Sequence, residues 1–306
     1  STCNATVTVQ DVTPPTAICR PVTVYLDALG NAVIKPSDIN NGSSDACGVA
    51  SISASQTSFD CTDVGDNTVT LTVTDVNGNS ATCDAIVTIL DDVEPVAVCK
   101  NITVSLDANG DATIAGLDID NGSYDNCFST LVRTATPNIF DCTDIGENVV
   151  TLTVTDPAGN SDTCTAIVTV QDLVAPTVVC QDITIQLDAS GDATIVAADI
   201  DNGSSDACGI ASLAIDKTDF DCTNLGSNPV TNTVVLTVTD TNGNVDTCSA
   251  LVTVEDTVVP TIFCTTDKVV TTDNNLCSYT HNGITWDTTT SDGCSTIASL
   301  TYELSG

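Results

Sequence analysis

A cysteine-marked repeat of about 80 residues is the feature that most constrains this chain. The block PTAIC, which ends at Cys19, returns with small changes at Cys99, Cys180 and Cys264. Each complete repeat carries three more cysteines, in blocks that read SSDAC, FDCT and TVTLTVTDVNGNSATC in the first repeat. One design copied along the chain predicts a tandem array of small, similar domains.

The positions of these blocks predict five segments. Residues 14–93, 94–174 and 175–258 are complete repeats. Residues 1–13 match the last strand of a repeat, and residues 259–306 match the first part of a further, variant repeat. We therefore expect the sequence to be a section of a longer array.

Alternation of polar and apolar residues predicts β-strands throughout a repeat. Between residues 68 and 75, Thr alternates with Val69, Leu71 and Val73, which is typical of a strand with one buried face. Helical periodicity is absent, and six or seven short strands in so few residues favour a sandwich. The predicted fold is all-β: a tandem array of immunoglobulin-like β-sandwich domains, stapled by disulfides, with one aromatic core residue in each, namely Phe59, Phe140 and Phe220.

Composition excludes several classes of function. The chain has 41 acidic and 6 basic residues and a formal charge of −35, so it would be repelled by nucleic acid. No apolar run is long enough to span a membrane. A single histidine, His281, cannot support a repeated catalytic or zinc site, and we expect no enzyme activity. The 16 cysteines therefore indicate disulfides and an oxidising, extracellular compartment.

The repeat resembles a known family. The pattern PPxxxC, then DxC, then VTLTVTDxxGNxxxC and a strand that ends in DxxxP is similar to the HYR (hyalin repeat) module. The Asp-rich, four-cysteine version is also similar to tandem repeats in giant surface adhesins of gliding bacteria. This resemblance implies secretion to a bacterial cell surface and a role in adhesion and gliding motility.

The topology of such a sandwich suggests the disulfides. Its first and last strands are neighbours, which predicts Cys19–Cys83, Cys99–Cys164 and Cys180–Cys248. The remaining cysteines would then form Cys47–Cys61, Cys127–Cys142 and Cys208–Cys222, and in the variant last repeat Cys277 would pair with Cys294. Cys3 and Cys264 would find partners outside this sequence. The alternative is a bridge across a repeat boundary, such as Cys83–Cys99.

Acidic residues concentrate in three segments that the sandwich topology brings to one pole. These are the linker from the preceding repeat, the loop between the second and third strands, and the last hairpin. Asp and Asn side chains suit a hard cation, so the sequence predicts calcium at this pole. The alternative is a set of solvated, Asx-rich turns. The candidate ligands are Asp11, Asp38, Asp45, Asp75 and Asn79; Asp91, Asp92, Asp118, Asp120, Asp125, Asp156 and Asn160; and Asp172, Asp199, Asp201, Asp206, Asp240 and Asn244.

These features predict the structural stalk of an extracellular filament or adhesin, stiffened by disulfides and by calcium at the repeat junctions. Its partners would be further repeats of the same chain, with lateral self-association, surface glycans or host surfaces as further options. One alternative is a repeat-borne binding module for a glycan or a protein, and another is an accessory region of a secreted enzyme. Sequons at Asn41, Asn121 and Asn202 are possible glycosylation sites or simply turns.

Overall fold

The computed structural model describes residues 3–127, 130–226, 232–263 and 289–294. The chain divides into two compact units. The first comprises Ser1–Ser105 and Asp111–Gln171, and the second comprises Leu106–Gly110 and Asp172–Gly306. The repeat boundaries drawn from the sequence stay predictions. Within the described ranges, no helix has the length and apolar character needed to cross a lipid bilayer.

Each repeat contains six strands, one helical turn and one 3₁₀ turn. In the first repeat these are β1 (Val22–Tyr25), β2 (Asn31–Val33), α1 (Pro36–Ile39), β3 (Val49–Ala54), β4 (Ser58–Asp60), the 3₁₀ turn Cys61–Asp63, β5 (Gly65–Asp75) and β6 (Ser80–Leu90).

The same elements follow in the next two repeats. The second contains β7 (Ile102–Ser105), β8 (Ala112–Thr113), α2 (Gly116–Ile119), β9 (Val132–Thr136), β10 (Ile139–Phe140), β11 (Gly146–Thr155) and β12 (Ser161–Gln171). The third contains β13 (Ile183–Gln186), β14 (Asp192–Thr194), α3 (Ala197–Ile200), β15 (Ile210–Ile215), β16 (Asp219–Asp221), β17 (Asn232–Asp240) and β18 (Val245–Glu255). Beyond them, β19 (Thr261–Phe263) pairs antiparallel with β20 (Thr289–Ser291).

The larger sheet of each repeat has the first strand beside the last. In the first repeat the order is β1-β6-β5-β3, and β2 and β4 form a separate pair. Strands β1 and β6 are parallel, whereas β5 pairs antiparallel with both β6 and β3. The larger sheets of the other two repeats, β7-β12-β11-β9 and β13-β18-β17-β15, have the same order. The predicted all-β class and the neighbouring first and last strands are therefore confirmed.

The core lies between the larger sheet and the strand pair. Val69, Leu71 and Val73 of β5 are fully buried, as their alternation with Thr predicts. They belong to one apolar cluster with Ala32 of β2 and Phe59 of β4. Phe140 and Phe220 are buried at the equivalent positions. The prediction of one aromatic core residue per repeat is confirmed.

One-turn helices precede the third strand of every repeat, and the sequence analysis missed them. In the first repeat the Asp38 carboxylate accepts a hydrogen bond from the Lys35 backbone N–H at 2.7 Å, which satisfies a free donor at the start of α1. A helix of four residues is too short to show a 3.6-residue apolar period. These turns are therefore recognisable only from the recurring Asp at their third position.

Within each complete repeat, a disulfide joins the segment before the first strand to the last strand. The three bonds are Cys19–Cys83, Cys99–Cys164 and Cys180–Cys248, with Cα atoms 5.8 to 5.9 Å apart. They are the pairs that the strand order predicts, because the parallel pairing of β1 with β6 brings the two cysteines to the same edge.

The remaining predicted disulfides are wrong. Cys61 is bonded to Cys127 of the next repeat, which excludes both Cys47–Cys61 and Cys127–Cys142. Strand β3 explains this outcome: its six residues span about 20 Å, so it leads the chain away from Cys47 before Cys61 is reached.

Later in the chain, Cys222 is bonded to Cys294, which excludes Cys208–Cys222 and Cys277–Cys294. Cys142 and Cys208 are each part of a disulfide. The suggested bridge Cys83–Cys99 does not form, because both cysteines are used within their own repeats. Cys264 and Cys277 lie outside the described residues.

Candidate functional site

Three carboxylates from three separate segments meet at one pole of the second repeat. Asp91 follows β6 in the linker, Asp125 lies in the loop after α2, and Asp156 follows β11. One oxygen from each lies within 4.8 Å of the others. Asp91 and Asp156 are buried, and Asp125 is half-buried. The sequence prediction that linker, loop and hairpin converge here is fulfilled by these three residues, which we call the acidic cluster.

Hydrogen bonds from the last hairpin hold Asp156 in place. One carboxylate oxygen accepts from the backbone N–H groups of Gly159, at 2.6 Å, and of Asn160, at 2.8 Å. The other oxygen accepts from the Asn160 side-chain amide at 2.8 Å. The same amide donates to the backbone carbonyl of Asp91 at 3.1 Å, so the hairpin is tied to the linker.

This Asp–Asn tie recurs in the other two repeats. The Asn79 amide donates to Asp75 at 2.8 Å and to the Asp11 carbonyl at 3.2 Å. Asn244 makes the equivalent bonds to Asp240 and to the Asp172 carbonyl. The recurrence of an Asp with an Asn four residues later is thus explained by linker attachment, without a metal ligand.

Burial and like charge act together on Asp91. Its Oδ1 accepts from the Val93 N–H at 3.2 Å, whereas its Oδ2 is buried and makes no hydrogen bond to any described residue. The burial, together with the negative charges of Asp125 and Asp156, raises the pKa of Asp91 above its usual range. A bound cation would reverse this effect.

At the other two poles a sulfur lies beside the linker and loop carboxylates. In the first repeat, Asp11 and Asp45 lie beside Cys47, and the hydrogen bond and negative charge of Asp11 raise the pKa of the Cys47 thiol. In the third repeat, Asp172 and Asp206 lie beside Cys208, whose sulfur is in a disulfide. The raised pKa of Cys47 disfavours its thiolate and the Cys208 sulfur is in a disulfide, so the second repeat offers the all-oxygen site.

Other predicted ligands have different roles. Asp38, Asp118 and Asp199 accept from backbone N–H groups at the starts of the three helices, at 2.7 Å each. Asp120 forms an ion pair with Arg133 at 2.8 Å, and Asp201 accepts from the Ser204 N–H at 3.0 Å. Asp92 is exposed in the linker, as are the sequon residues Asn41, Asn121 and Asn202 in their loops.

The joint between the first and second repeats is covalent. Cys61, at the start of the 3₁₀ turn, is bonded to Cys127 in the loop of the next repeat, with Cα atoms 5.1 Å apart. Gly30 lies against the bond: a Cβ there would be 2.5 Å from the Cys61 sulfur and 3.4 Å from the Cys127 sulfur. Only glycine fits here, because a Cβ would collide with the Cys61 sulfur and because the φ of +74° disfavours other residues.

Asn126 extends the same joint. Its side-chain amide donates to the Asp27 carbonyl of the first repeat at 3.2 Å, while its own amide oxygen is buried without a hydrogen-bond partner among the described residues. Asp125 of the acidic cluster accepts from the Cys127 N–H at 2.8 Å. The acidic cluster and the inter-repeat disulfide therefore share one loop.

A second joint of the same design lies in the second unit. Cys222 is bonded to Cys294, again with a Cα separation of 5.1 Å. A Cβ on Gly191 would lie 2.7 Å from the Cys222 sulfur and 2.9 Å from the Cys294 sulfur. The sequence analysis missed this joint, although the glycine one or two residues before the second strand and the cysteine after FD recur together in each repeat.

Comparison with known proteins gives one family and one curated relative. The family model "HYR domain" matches residues 10–89. Hyalin from Strongylocentrotus purpuratus is 30% identical over 284 residues, which cover 88% of this chain. The chain spans 23% of the length of hyalin.

Solved structures to which this chain shows similarity include immunoglobulin domains. Three titin domains are 10% identical with a TM-score of 0.31, and the match covers 80% of this chain and 100% of that one. Sidekick-1 immunoglobulin domains 1–5 are 11% identical with a TM-score of 0.34, and the match covers 81% of this chain and 60% of that one. The fold assignment itself rests on the strand order. Residues 10–89 therefore match the HYR domain family, in a chain whose later repeats have the same strand order and the same cysteine blocks.

Proposed function

We propose that this chain is a section of the structural stalk of an extracellular adhesion protein, in which disulfides stiffen the joints between consecutive repeats. The observation that carries the proposal is the Cys61–Cys127 bond. The bond fixes one repeat to the next, which a stalk requires, whereas binding through a single repeat would not depend on it.

Two covalent connections limit the movement of one repeat against the next. The first is the linker through Asp91, which the Asn160 side chain ties to the last hairpin. The second is the disulfide, beside which Asn126 bonds to the Asp27 carbonyl. Because the two connections attach at different points, bending about one of them strains the other. A joint of this kind favours one orientation of the two repeats.

The chemistry of the chain suits an extracellular setting. Disulfides persist where the environment is oxidising, and a net charge of −35 opposes aggregation of a long array. We place the array on a bacterial cell surface, because its four-cysteine repeats resemble adhesins of gliding bacteria. We assign it no catalytic role, since each recurring polar group found here supports a turn, a helix start or a joint.

A calcium ion at the acidic cluster is the second part of the proposal. Two carboxylate oxygens within 4.8 Å of each other repel by at least about 3 kcal/mol at an effective dielectric near 20. One cation held at about 2.4 Å from each oxygen would fit between atoms at this spacing. Two buried oxygens are available as metal ligands, the Oδ2 of Asp91 and the amide oxygen of Asn126. Neither has a hydrogen-bond partner among the described residues. Calcium would then stiffen the same loop that carries the disulfide.

Calorimetric titration of the full chain with CaCl₂ tests the calcium site, with MgCl₂ as the competing ion. Wild type should bind calcium and gain about 2.7 kcal/mol of stability at a concentration 100 times Kd. Asp91→Asn should abolish both effects, whereas Asp92→Asn should keep them, because Asp92 is exposed in the same linker. Equal calcium binding by the two variants would exclude the acidic cluster as the site.

Small-angle scattering of the full chain tests the stalk itself. Replacing Cys61 and Cys127 together by serine should broaden the distribution of interatomic distances, because the first joint then moves freely. Cys47→Ser is the matched control, since Cys47 is a free cysteine. Scattering curves of the double variant and of wild type that superimpose would refute the proposed role of the joint.

A further inference from the structure

Cys47 occupies the position at which later repeats are joined to their predecessors. In SSDAC of the first repeat it aligns with Cys127 in SYDNC and with Cys294 in TSDGC. Cys127 is bonded to Cys61, and Cys294 is bonded to Cys222. Cys47 is a free cysteine on the surface. It has the environment of a joint cysteine but no disulfide partner among the described residues.

The loop around Cys47 already has the joint conformation. The Asp45 carboxylate accepts from the Cys47 N–H at 2.7 Å, as Asp125 accepts from the Cys127 N–H at 2.8 Å. Asp292 makes the equivalent bond to the Cys294 N–H at 3.3 Å. An open cavity beside Cys47 is lined in part by Asp11 and Asp45. The thiol is therefore presented on a pre-shaped loop next to open space.

The partner surface can be read from the two joints that the structure describes. In each, the cysteine enters a notch formed by a positive-φ glycine and the cysteine of a 3₁₀ turn, Gly30 with Cys61 and Gly191 with Cys222. A side chain on either glycine would collide with the disulfide. The complementary surface for Cys47 is therefore a glycine turn and an FDCT-type cysteine supplied by another repeat.

We propose that the pole of the first repeat around Cys47 is a docking surface for a preceding repeat of the same type, closed by a disulfide from Cys47 to the 3₁₀-turn cysteine of that repeat. The two thiols lose two protons and two electrons as the Sγ–Sγ bond forms, and a disulfide oxidant such as an oxidised thiol oxidoreductase accepts both. Cys3 is a second indication that the partner is a preceding repeat. It is the second free cysteine among the described residues, and it aligns with Cys83, which bonds to Cys19 of its own repeat.

This inference rests on the proposed function in one respect, namely that the partner is another repeat of the array. Residues 1–11 align with residues 81–91, so a second copy of residues 14–80 placed before Ser1 completes a preceding repeat. Peptide mapping of this extended chain without reduction should show Cys47 linked to the added copy of Cys61. Labelling of Cys47 by iodoacetamide, complete in the 306-residue chain, should be lost.

The matched control is the same extended chain with Cys61→Ser in the added copy, in which Cys47 should be labelled again. A bond between Cys3 and the added Cys19 reports that the added repeat has folded. A copy of residues 95–161 is a second donor, with its Cys142 in place of Cys61. Labelled Cys47 in both extended chains would overturn the docking surface. Loss of the Cys61–Cys127 bond from the maps would instead refute the proposed stalk joint.

Discussion

Removing the first inter-repeat disulfide is the most direct perturbation of this chain. The bond closes a loop of 66 residues between Cys61 and Cys127. In the chain-entropy treatment such a loop contributes about 4 kcal/mol, because the cross-link restricts the unfolded chain. The glycine at position 30 fits against the bond, so we expect little strain to offset this value.

The change is Cys61→Ser with Cys127→Ser, made together so that no unpaired thiol is left for exchange. Differential scanning calorimetry of the full chain should show the transition of the first two repeats falling by roughly 10 °C, since 1 kcal/mol corresponds to about 2–4 °C in a unit of this size. Cys47→Ser should leave the transition unchanged. A double variant that melts with wild type, with Cys19–Cys83 still intact, would refute the assignment of this stability to the joint.

Three further changes test the joint and the linker. Gly30→Ala should impair formation of the inter-repeat disulfide, detected as a new free thiol in mass mapping, because its Cβ would lie 2.5 Å from a sulfur. Gly42→Ala is the control, because Gly42 has a similar φ of +79° but open space around its Cβ position. An equal effect of the two substitutions would indicate backbone strain alone. Asn160→Ala removes the amide that ties the hairpin to the linker, so it should lower the free energy of unfolding measured in urea by about 1–2 kcal/mol. Asn77→Ala in the first repeat should leave that free energy unchanged. In EDTA, Asp91→Asn should be more stable than wild type at pH 7. Because the pKa of Asp91 is raised on folding, its ionised form destabilises the folded state. The gain in stability should therefore vanish below pH 3.8, where the carboxyl is protonated in both states. A gain that does not change with pH would contradict this explanation.

Much of the fold could be predicted because each repeat is built from local patterns. Val69, Leu71 and Val73 alternate with Thr, and the structure buries all three completely. Neighbouring first and last strands then led to Cys19–Cys83. The one-turn helices could not be predicted in this way, because four residues show no period.

The candidate site was predictable in part. Convergence of Asp91, Asp125 and Asp156 follows from topology alone, and the structure brings these three together. The sequence pattern could not distinguish these three residues from Asp118, which accepts a hydrogen bond at the start of a helix, or from Asp120, which forms an ion pair with Arg133. Those roles depend on a single turn of backbone and on one distant cation, and neither recurs at a spacing that a sequence reveals.

The inter-repeat disulfide was missed because the cysteines were paired inside one repeat. That assumption fails where a domain uses its two poles for contact with two neighbours. Cys61 follows β4 and bonds to the next repeat, whereas Cys47 precedes β3 and lies beside the linker residue Asp11. Reading the cysteines together with the recurring glycine at position 30 would have suggested a partner outside the repeat.

The disulfides within the repeats also decide how the chain responds to tension. A pull along the chain reaches Cys19 and passes through its sulfur to Cys83, so the 64 residues between them carry no load. Between Cys83 and Cys99, the next bonded cysteine, the loaded backbone has 16 residues and a maximum length of roughly 55 Å. Unfolding a repeat therefore releases almost no contour length. Such an array is nearly inextensible when oxidised, and reducing agents would lengthen it several-fold under the same force.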